Sequence, residues 1–129
     1  LAEALGRFER DMAELHGLRV ELDTEGLEAI PAEIGTQLFR ICQEAALNAT
    51  VHGEAETLSV RIERSGEEVR VQIDDDGTGL PAEMSELQEE GMGLRLMQYR
   101  AHLHGGSFAI ASREGGGTRV QCRFPLQSE

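Results

Sequence analysis

The chain has 129 residues, 40% of them hydrophobic and 28% charged, with twelve basic against twenty-four acidic side chains and a formal net charge of -12. That length supports one domain with a two-layer core, and that charge repels nucleic acid phosphates and anionic membranes, which makes both poor partners. All twelve basic residues are arginine, so a phosphate-loop NTPase or an ordinary protein kinase, each of which sets a lysine on the phosphates, is excluded on residue inventory.

No apolar run approaches the roughly 20 residues that a membrane helix needs, and the charged, amphipathic N-terminus has no signal-peptide pattern. The expectation is a cytoplasmic domain, cut from a larger parent because no initiator methionine opens it. Leu1, Leu5, Phe8, Met12 and Leu15 recur at the helical period, and Gly17 stops that helix. Leu18 to Leu22 alternates as a strand, and Asp23 to Pro31 reads as a polar connection. Ile34 to His52 is the strongest helix, with an apolar stripe at Ile34, Leu38, Ile41, Cys42, Ala45 and Ala49 and a stop at Gly53.

Glu44, Asn48 and His52 are spaced four apart and lie in a row beside that stripe. Asn48 falls at the margin of the apolar face, where an amide costs stability unless something bonds to it. A bond to a neighbouring loop and a bond to a ligand both satisfy this requirement. Cys42 and Cys122 sit among apolar residues and read as reduced core cysteines.

Leu58, Val60 and Ile62, a Ser65-Gly66 turn, and Val69, Val71 and Ile73 predict a β-hairpin. It runs into Asp74-Asp75-Asp76-Gly77-Thr78-Gly79, an acidic strand end followed by a glycine-punctuated turn. Gly77 and Gly79 allow positive φ or a close backbone approach. Carboxylates placed there suit an exocyclic amine such as that on adenine better than a phosphate, though an acidic hairpin loop has the same composition.

Leu80 to Glu90 is polar and acidic and reads as a lid. Gly91-Met92-Gly93-Leu94 then opens a helix through Met97 and Ala101 that ends near Gly105-Gly106, and a helix start behind glycines offers N–H groups to an anion. Phe108 and Ile110, a Glu114 to Gly117 turn, and Val120, Cys122 and Phe124 complete two more strands. The predicted order is α, β, α, β, β, lid, α, β, β. With no parallel βαβ series in it, an α+β fold is expected: a two-layer α/β sandwich whose mixed, mostly antiparallel sheet is covered on one face by helices.

Arg40 to His52, Asp75 to Gly79, Gly91 to Leu94 and Gly116-Gly117-Thr118 occur in the order of the motifs of the GHKL ATPase superfamily. Within it the chain most resembles the catalytic and ATP-binding domain of bacterial sensor histidine kinases, of the branch that signals to NarL-type response regulators, over nearly its whole length. The resemblance implies ATP and Mg²⁺ as cofactors, with Asn48 on the metal and Glu44 orienting metal-bound water or acting as a base. It implies that Asp75 accepts a bond from the adenine amine and that Thr118 lies near the base, acting directly or through water. The resemblance further implies that His52 reaches the phosphates or sugar, that Gly77 and Gly79 form the pocket turn, that Gly91 and Gly93 form the lid hinge, and that Met92 and Leu94 between and after them belong to the ATP site.

Arg95 or Arg100 substitutes for a basic lid residue. Asp74 and Asp76 match no required acid, although a one-residue slip within the Asp run would exchange their roles with that of Asp75. Glu14-Leu15-His16 superficially resembles a phosphoacceptor box, but Gly17 and a strand follow at once, so His16 is read as a helix end. The implied partners are a dimerisation and phosphoacceptor domain on the N-terminal side and a downstream response regulator, with the isolated domain monomeric. An anti-sigma-type serine kinase and a nucleotide-dependent interaction module without transfer activity share the same motifs.

Overall fold

The computed structural model describes residues 1–51, 53–78 and 92–126. The chain begins with α1 (Ala2–His16), which ends where Gly17 adopts φ 63° and its N–H bonds the Ala13 carbonyl. His16 is therefore a helix end, as its glycine neighbour predicts. Then follow β1 (Arg19–Glu25), a single 3₁₀ turn (Leu27–Ala29), α2 (Ala32–Val51), β2 (Thr57–Ser65), β3 (Glu68–Asp75), α3 (Met92–His102), β4 (Ser107–Ser112) and β5 (Thr118–Pro125). The predicted lid, Leu80 to Glu90, lies outside the described residues, as do His52, Gly79 and Gly91.

The strands form one mixed sheet in the order β1-β2-β3-β5-β4. β2 pairs antiparallel with β3, β3 with β5 and β5 with β4, whereas β1 runs parallel to β2 from Arg19 opposite Thr57 to Glu25 opposite Glu63. The expected mixed, mostly antiparallel sheet is present, and it contains one parallel β1-α2-β2 unit that the element order did not reveal. The same pairing corrects the boundary of β1. The polar side chains of Asp23, Thr24 and Glu25 suggest a connection, yet their backbone continues the ladder along β2 as far as Glu63.

The helices cover one sheet face. Leu38, Ile41, Cys42 and Ala46 of α2 are fully buried against the inward residues Leu58, Val60 and Ile62 of β2, Val69, Val71 and Ile73 of β3, and Val120, Cys122 and Phe124 of β5. α1 adds Leu5 and Phe8, and α3 adds Leu94, Met97 and Ala101. Burial pushes the thiols of Cys42 and Cys122 up to about 12, which suits the inert core cysteines expected from their neighbours. The other sheet face is polar and laced with ion pairs such as Arg61 to Asp23 at 3.3 Å and Arg119 to Asp74 at 2.8 Å. The Arg61 to Asp23 pair is exposed on both sides and contributes little stability.

Since α2 is the helix that closes the core, its central apolar position bears most on stability. Leu38→Ala, at a side chain with 0% exposure, is expected to cost about 2–5 kcal/mol. Urea denaturation checks this, with a lowered midpoint and an unchanged slope as the expected result.

Candidate functional site

Strand alternation sorts the three consecutive aspartates. Along β3, Val69, Val71 and Ile73 face the helices, so Asp75 does too, and it is the one buried charged side chain among the described residues, at 8% exposure. Asp74 points to the opposite face, where Arg119 grips it with two bonds of 2.8 and 3.2 Å and Gln72 adds one of 3.2 Å. Asp76 turns outward beyond the strand and accepts the backbone N–H groups of Glu56 and Thr57 at 2.8 and 3.0 Å, tying the end of β3 to the start of β2. Both flanking carboxylates are thus committed to structure, and a one-residue slip in the Asp run finds no support.

Asp75 Oδ1 accepts the N–H of Gly77 at 2.9 Å and the N–H of Thr118 at 3.3 Å. No described residue bonds its Oδ2. Burial raises the Asp75 pKa and the charge of Asp76 adds to the rise, while the two N–H bonds and the nearby Arg113 guanidinium oppose it. Asp76 behaves oppositely: the N–H bonds from Thr57 and Glu56 hold its carboxyl below the usual aspartate value.

Two glycines allow this approach. A Cβ on Gly117 would lie 1.9 Å from the Asp75 carbonyl oxygen, and Gly117 also holds φ 99°, so both space and conformation demand glycine. A Cβ on Gly77 would lie 2.4 Å from the Gly53 carbonyl oxygen. Gly77 does not have positive φ, so of the two reasons that the sequence offers for it, close approach is the one that applies.

Gly53 links the turn to α2. Its N–H bonds the Asn48 carbonyl at 3.1 Å, and its own carbonyl accepts the Thr78 N–H at 2.9 Å. Gly53 lies just past the end of α2, as the sequence predicts, while the left-handed residue there is Glu54, at φ 51°. Glu44 and Asn48 lie one turn apart on α2, both half-buried, and no described residue bonds their side chains.

Leu94 is a core residue at 6% exposure, so its side chain anchors α3. Met92 and Gly93 begin that helix. Thr118 contributes its N–H from the start of β5. Arg100 does not extend toward this cluster: it bonds Gln37 at 3.1 Å between α3 and α2. Arg95 is exposed on α3. The structure therefore brings Asp75, Gly77 and Thr118 together and connects them through Gly53 to the helix that carries Glu44 and Asn48.

Sequence reasoning gave Gly53 only a role in ending the helix and passed over Arg113, whose guanidinium donates to the Asp75 carbonyl at 2.9 Å. The triplet of glycines after it marks the turn, but nothing marks the arginine. Clefts of about 450 and 520 Å³ lie elsewhere, one along Leu1, Leu27 and Phe39 and the other along Ile34, Leu103 and Pro125. Neither brings a buried carboxylate together with backbone donors, so chemistry and not concavity marks the site.

Fold and site together define an α+β domain in which a strand-end carboxylate is framed by glycine turns beside a helix whose Glu44 and Asn48 side chains no described residue bonds. The chain belongs to the family of histidine kinase-, DNA gyrase B- and HSP90-like ATPases, the GHKL superfamily, whose pattern matches residues 33–128. It is 32% identical over 130 residues to the sensor histidine kinase LnrJ of Bacillus subtilis, covering 100% of this chain and 31% of that protein. It is 34% identical over 105 residues to the signal transduction histidine-protein kinase/phosphatase DegS of the same organism, covering 81% and 27%. The chain thus spans about a third of the length of these relatives. Among solved structures, the ATP binding domain of PrrB from Mycobacterium tuberculosis superposes with a TM-score of 0.75 at 28% identity, covering 98% of this chain and 93% of that one.

The two neighbouring aspartates should respond oppositely to pH. Ionised Asp75 is disfavoured by the fold, and that cost disappears as pH falls through its raised folded-state pKa, so Asp75→Asn should leave stability at pH 7 unchanged or higher. Asp76 contributes stability above its unfolded pKa of roughly 3.9 and loses it as pH falls through its lowered folded-state value. Asp76→Asn should therefore destabilise the domain near neutrality, with the difference from the parent beginning to narrow only at the acid end of the range. Urea midpoints measured from pH 7 down to pH 3 check both signs.

Proposed function

We propose that this domain binds Mg²⁺-ATP and presents the γ-phosphate to a histidine on the dimerisation domain of a sensor kinase. The observation that carries the base assignment is the division of labour on Asp75. Oδ1 already holds two backbone N–H groups and Oδ2 holds none from the described residues. A carboxylate with both oxygens open can grip the adjacent N1–H and N2–H groups of guanine side by side, whereas a single open oxygen matches the lone exocyclic amine of adenine. Thr118 supports the same reading, since its hydroxyl lies on the residue whose N–H touches Asp75 and can reach the base through a water.

Asn48 and Glu44 fit a Mg²⁺ site. Magnesium usually takes one or two protein oxygens and completes its shell with phosphates and water, and these half-buried side chains have oxygens that no described residue engages. Asn48 would supply the direct ligand, and Glu44 would orient metal-bound water or act as a base. When bound, the ion neutralises charge on the phosphates. His52, Gly79, Gly91, Met92, Gly93 and Leu94 complete the proposed ATP site, with Leu94 contributing from the backbone because its side chain is in the core.

No described helix is long and apolar enough to cross a membrane; the proposed location is the cytoplasm, where ATP is available, with the parent free to carry an anchor elsewhere. The proposed partners are the dimerisation and phosphoacceptor domain of the same protein and a response regulator of the NarL type. With the nucleophile on another domain, the chain alone should bind nucleotide as a monomer and show almost no kinase turnover.

Calorimetric titration with ATP, with and without Mg²⁺, tests this reading. The parent chain should bind ATP in preference to GTP, more tightly with metal. Asn48→Asp should change the metal dependence, and Asp75→Asn should cost at least about tenfold in affinity, the loss of one good hydrogen bond to a charged group. Absence of binding at millimolar ATP would overturn the proposal. Binding without phosphate transfer to a supplied dimerisation domain would favour the interaction module instead.

A further inference from the structure

The turn between β4 and β5 contains Gly115, Gly116 and Gly117 in succession, at φ 88°, 115° and 99°. Three consecutive glycines with positive φ make a segment with little intrinsic preference for one conformation, because glycine has the most backbone freedom to lose. Yet Thr118, the next residue, must place its N–H within bonding distance of Asp75. Something outside the glycines has to hold the turn.

Arg113 meets that need. Its backbone N–H bonds the Gly117 carbonyl at 2.8 Å and its carbonyl accepts the Gly116 N–H at 3.1 Å, closing the turn on itself. Its half-buried guanidinium then crosses to the end of β3 and donates to the Asp75 carbonyl at 2.9 Å. That is the same carbonyl against which Gly117 packs, too closely for any Cβ. The backbone of Asp75 is thereby held by the turn from two directions while its Oδ1 accepts the Thr118 N–H. Among the described residues, the charges acting on its carboxylate are Asp76 beside it on the chain and Arg113 from the turn.

We propose that Arg113 is a positioning residue of the nucleotide site: it pins the triglycine turn to the end of β3 and so keeps the Asp75 carboxylate and the Thr118 N–H in the geometry that reads the base. This rests on the adenine-site reading above. Arg113 acts through Asp75 and Thr118 and is not itself a ligand of the nucleotide. A planar guanidinium suits the task because one side chain brings both a directed N–H to a carbonyl and a fixed positive charge that favours the ionised form of the neighbouring carboxylate.

The test is calorimetric titration of the 129-residue chain with ADP from pH 5 to pH 8, comparing the parent with Arg113→Met and Arg113→Lys. GDP serves as the control for base selectivity. Arg113→Met removes both the bond and the charge. It should weaken ADP binding about tenfold at pH 7.5, narrow the preference over GDP, and move the loss of binding in acid to higher pH, because Asp75 then protonates more readily. Arg113→Lys keeps the charge without the planar fork, so the acid limb should stay near that of the parent while affinity at pH 7.5 still falls severalfold.

If Arg113→Met unfolds the chain, the lysine variant decides by itself: affinity equal to that of the parent overturns the role. A folded Arg113→Met chain with parental affinity and an unmoved acid limb overturns it as well. A parent chain that binds no ADP overturns the adenine site and this role with it, and that outcome is distinct because it appears before any substitution is made.

Discussion

The local architecture depends on one arrangement, a buried carboxylate oxygen that receives two backbone N–H groups from different parts of the chain. A carboxylate near the core is costly unless donors surround it. Asp75 finds them at Gly77, just past its own strand, and at Thr118, the first residue of β5. For both to reach the same oxygen, two turns must pack against the strand end more tightly than side chains allow. Gly77 and Gly117 are therefore glycines because a Cβ at either would strike a carbonyl oxygen, that of Gly53 in one case and that of Asp75 in the other.

The consequences extend into α2. One side of that helix carries Leu38, Ile41, Cys42 and Ala46, which are wholly buried, so its position is set by the core. Its C-terminal end is joined to the Gly77 turn through Gly53, which links the Asn48 carbonyl to the Thr78 N–H. The two halves of the proposed site, the base-reading carboxylate on the sheet and the Glu44 and Asn48 oxygens on the helix, which no described residue engages, are thus registered by backbone bonds. A rigid core places the helix, and a single glycine transmits that placement to the turn. This is the kind of preorganisation that positioning chemistry requires.

Much of this was legible in the sequence because periodicity reports burial directly. The stripe on α2, the alternation of β2 and β3 and the helix stop at Gly17 each follow from one local rule. The same alternation distinguishes Asp75 from its neighbours once the strand is known to continue through it. Pairing partners are not local, which is why the parallel β1 to β2 contact was invisible and why the polar end of β1 was read as loop. Arg113 was missed for a related reason: its function lies in a bond to a carbonyl 38 residues away, and an arginine before a glycine turn looks like any exposed charge. Gly53 was noticed for its local role, but its contact with the Gly77 turn belongs to the tertiary structure.

The distribution of charge explains how an acidic chain can be suited to a polyanionic ligand. With twelve arginines against twenty-four acids, positive charge is scarce, and the arginines nearest the strand end are already engaged, Arg119 by Asp74 and Arg113 by the Asp75 carbonyl. Recognition of a base needs no positive charge, only a donor matched to the open oxygen of Asp75, so the acidic field does not oppose it. Phosphates are another matter, since an uncompensated triphosphate would be repelled by this chain. A cation bound with the ligand would reduce that repulsion, and in the proposed site the half-buried oxygens of Asn48 and Glu44 are the groups on α2 chemically suited to meet it. The same scarcity agrees with the proposed division, in which the protein would read the base and a metal would carry the phosphates, leaving the γ-phosphate accessible to a nucleophile on another domain.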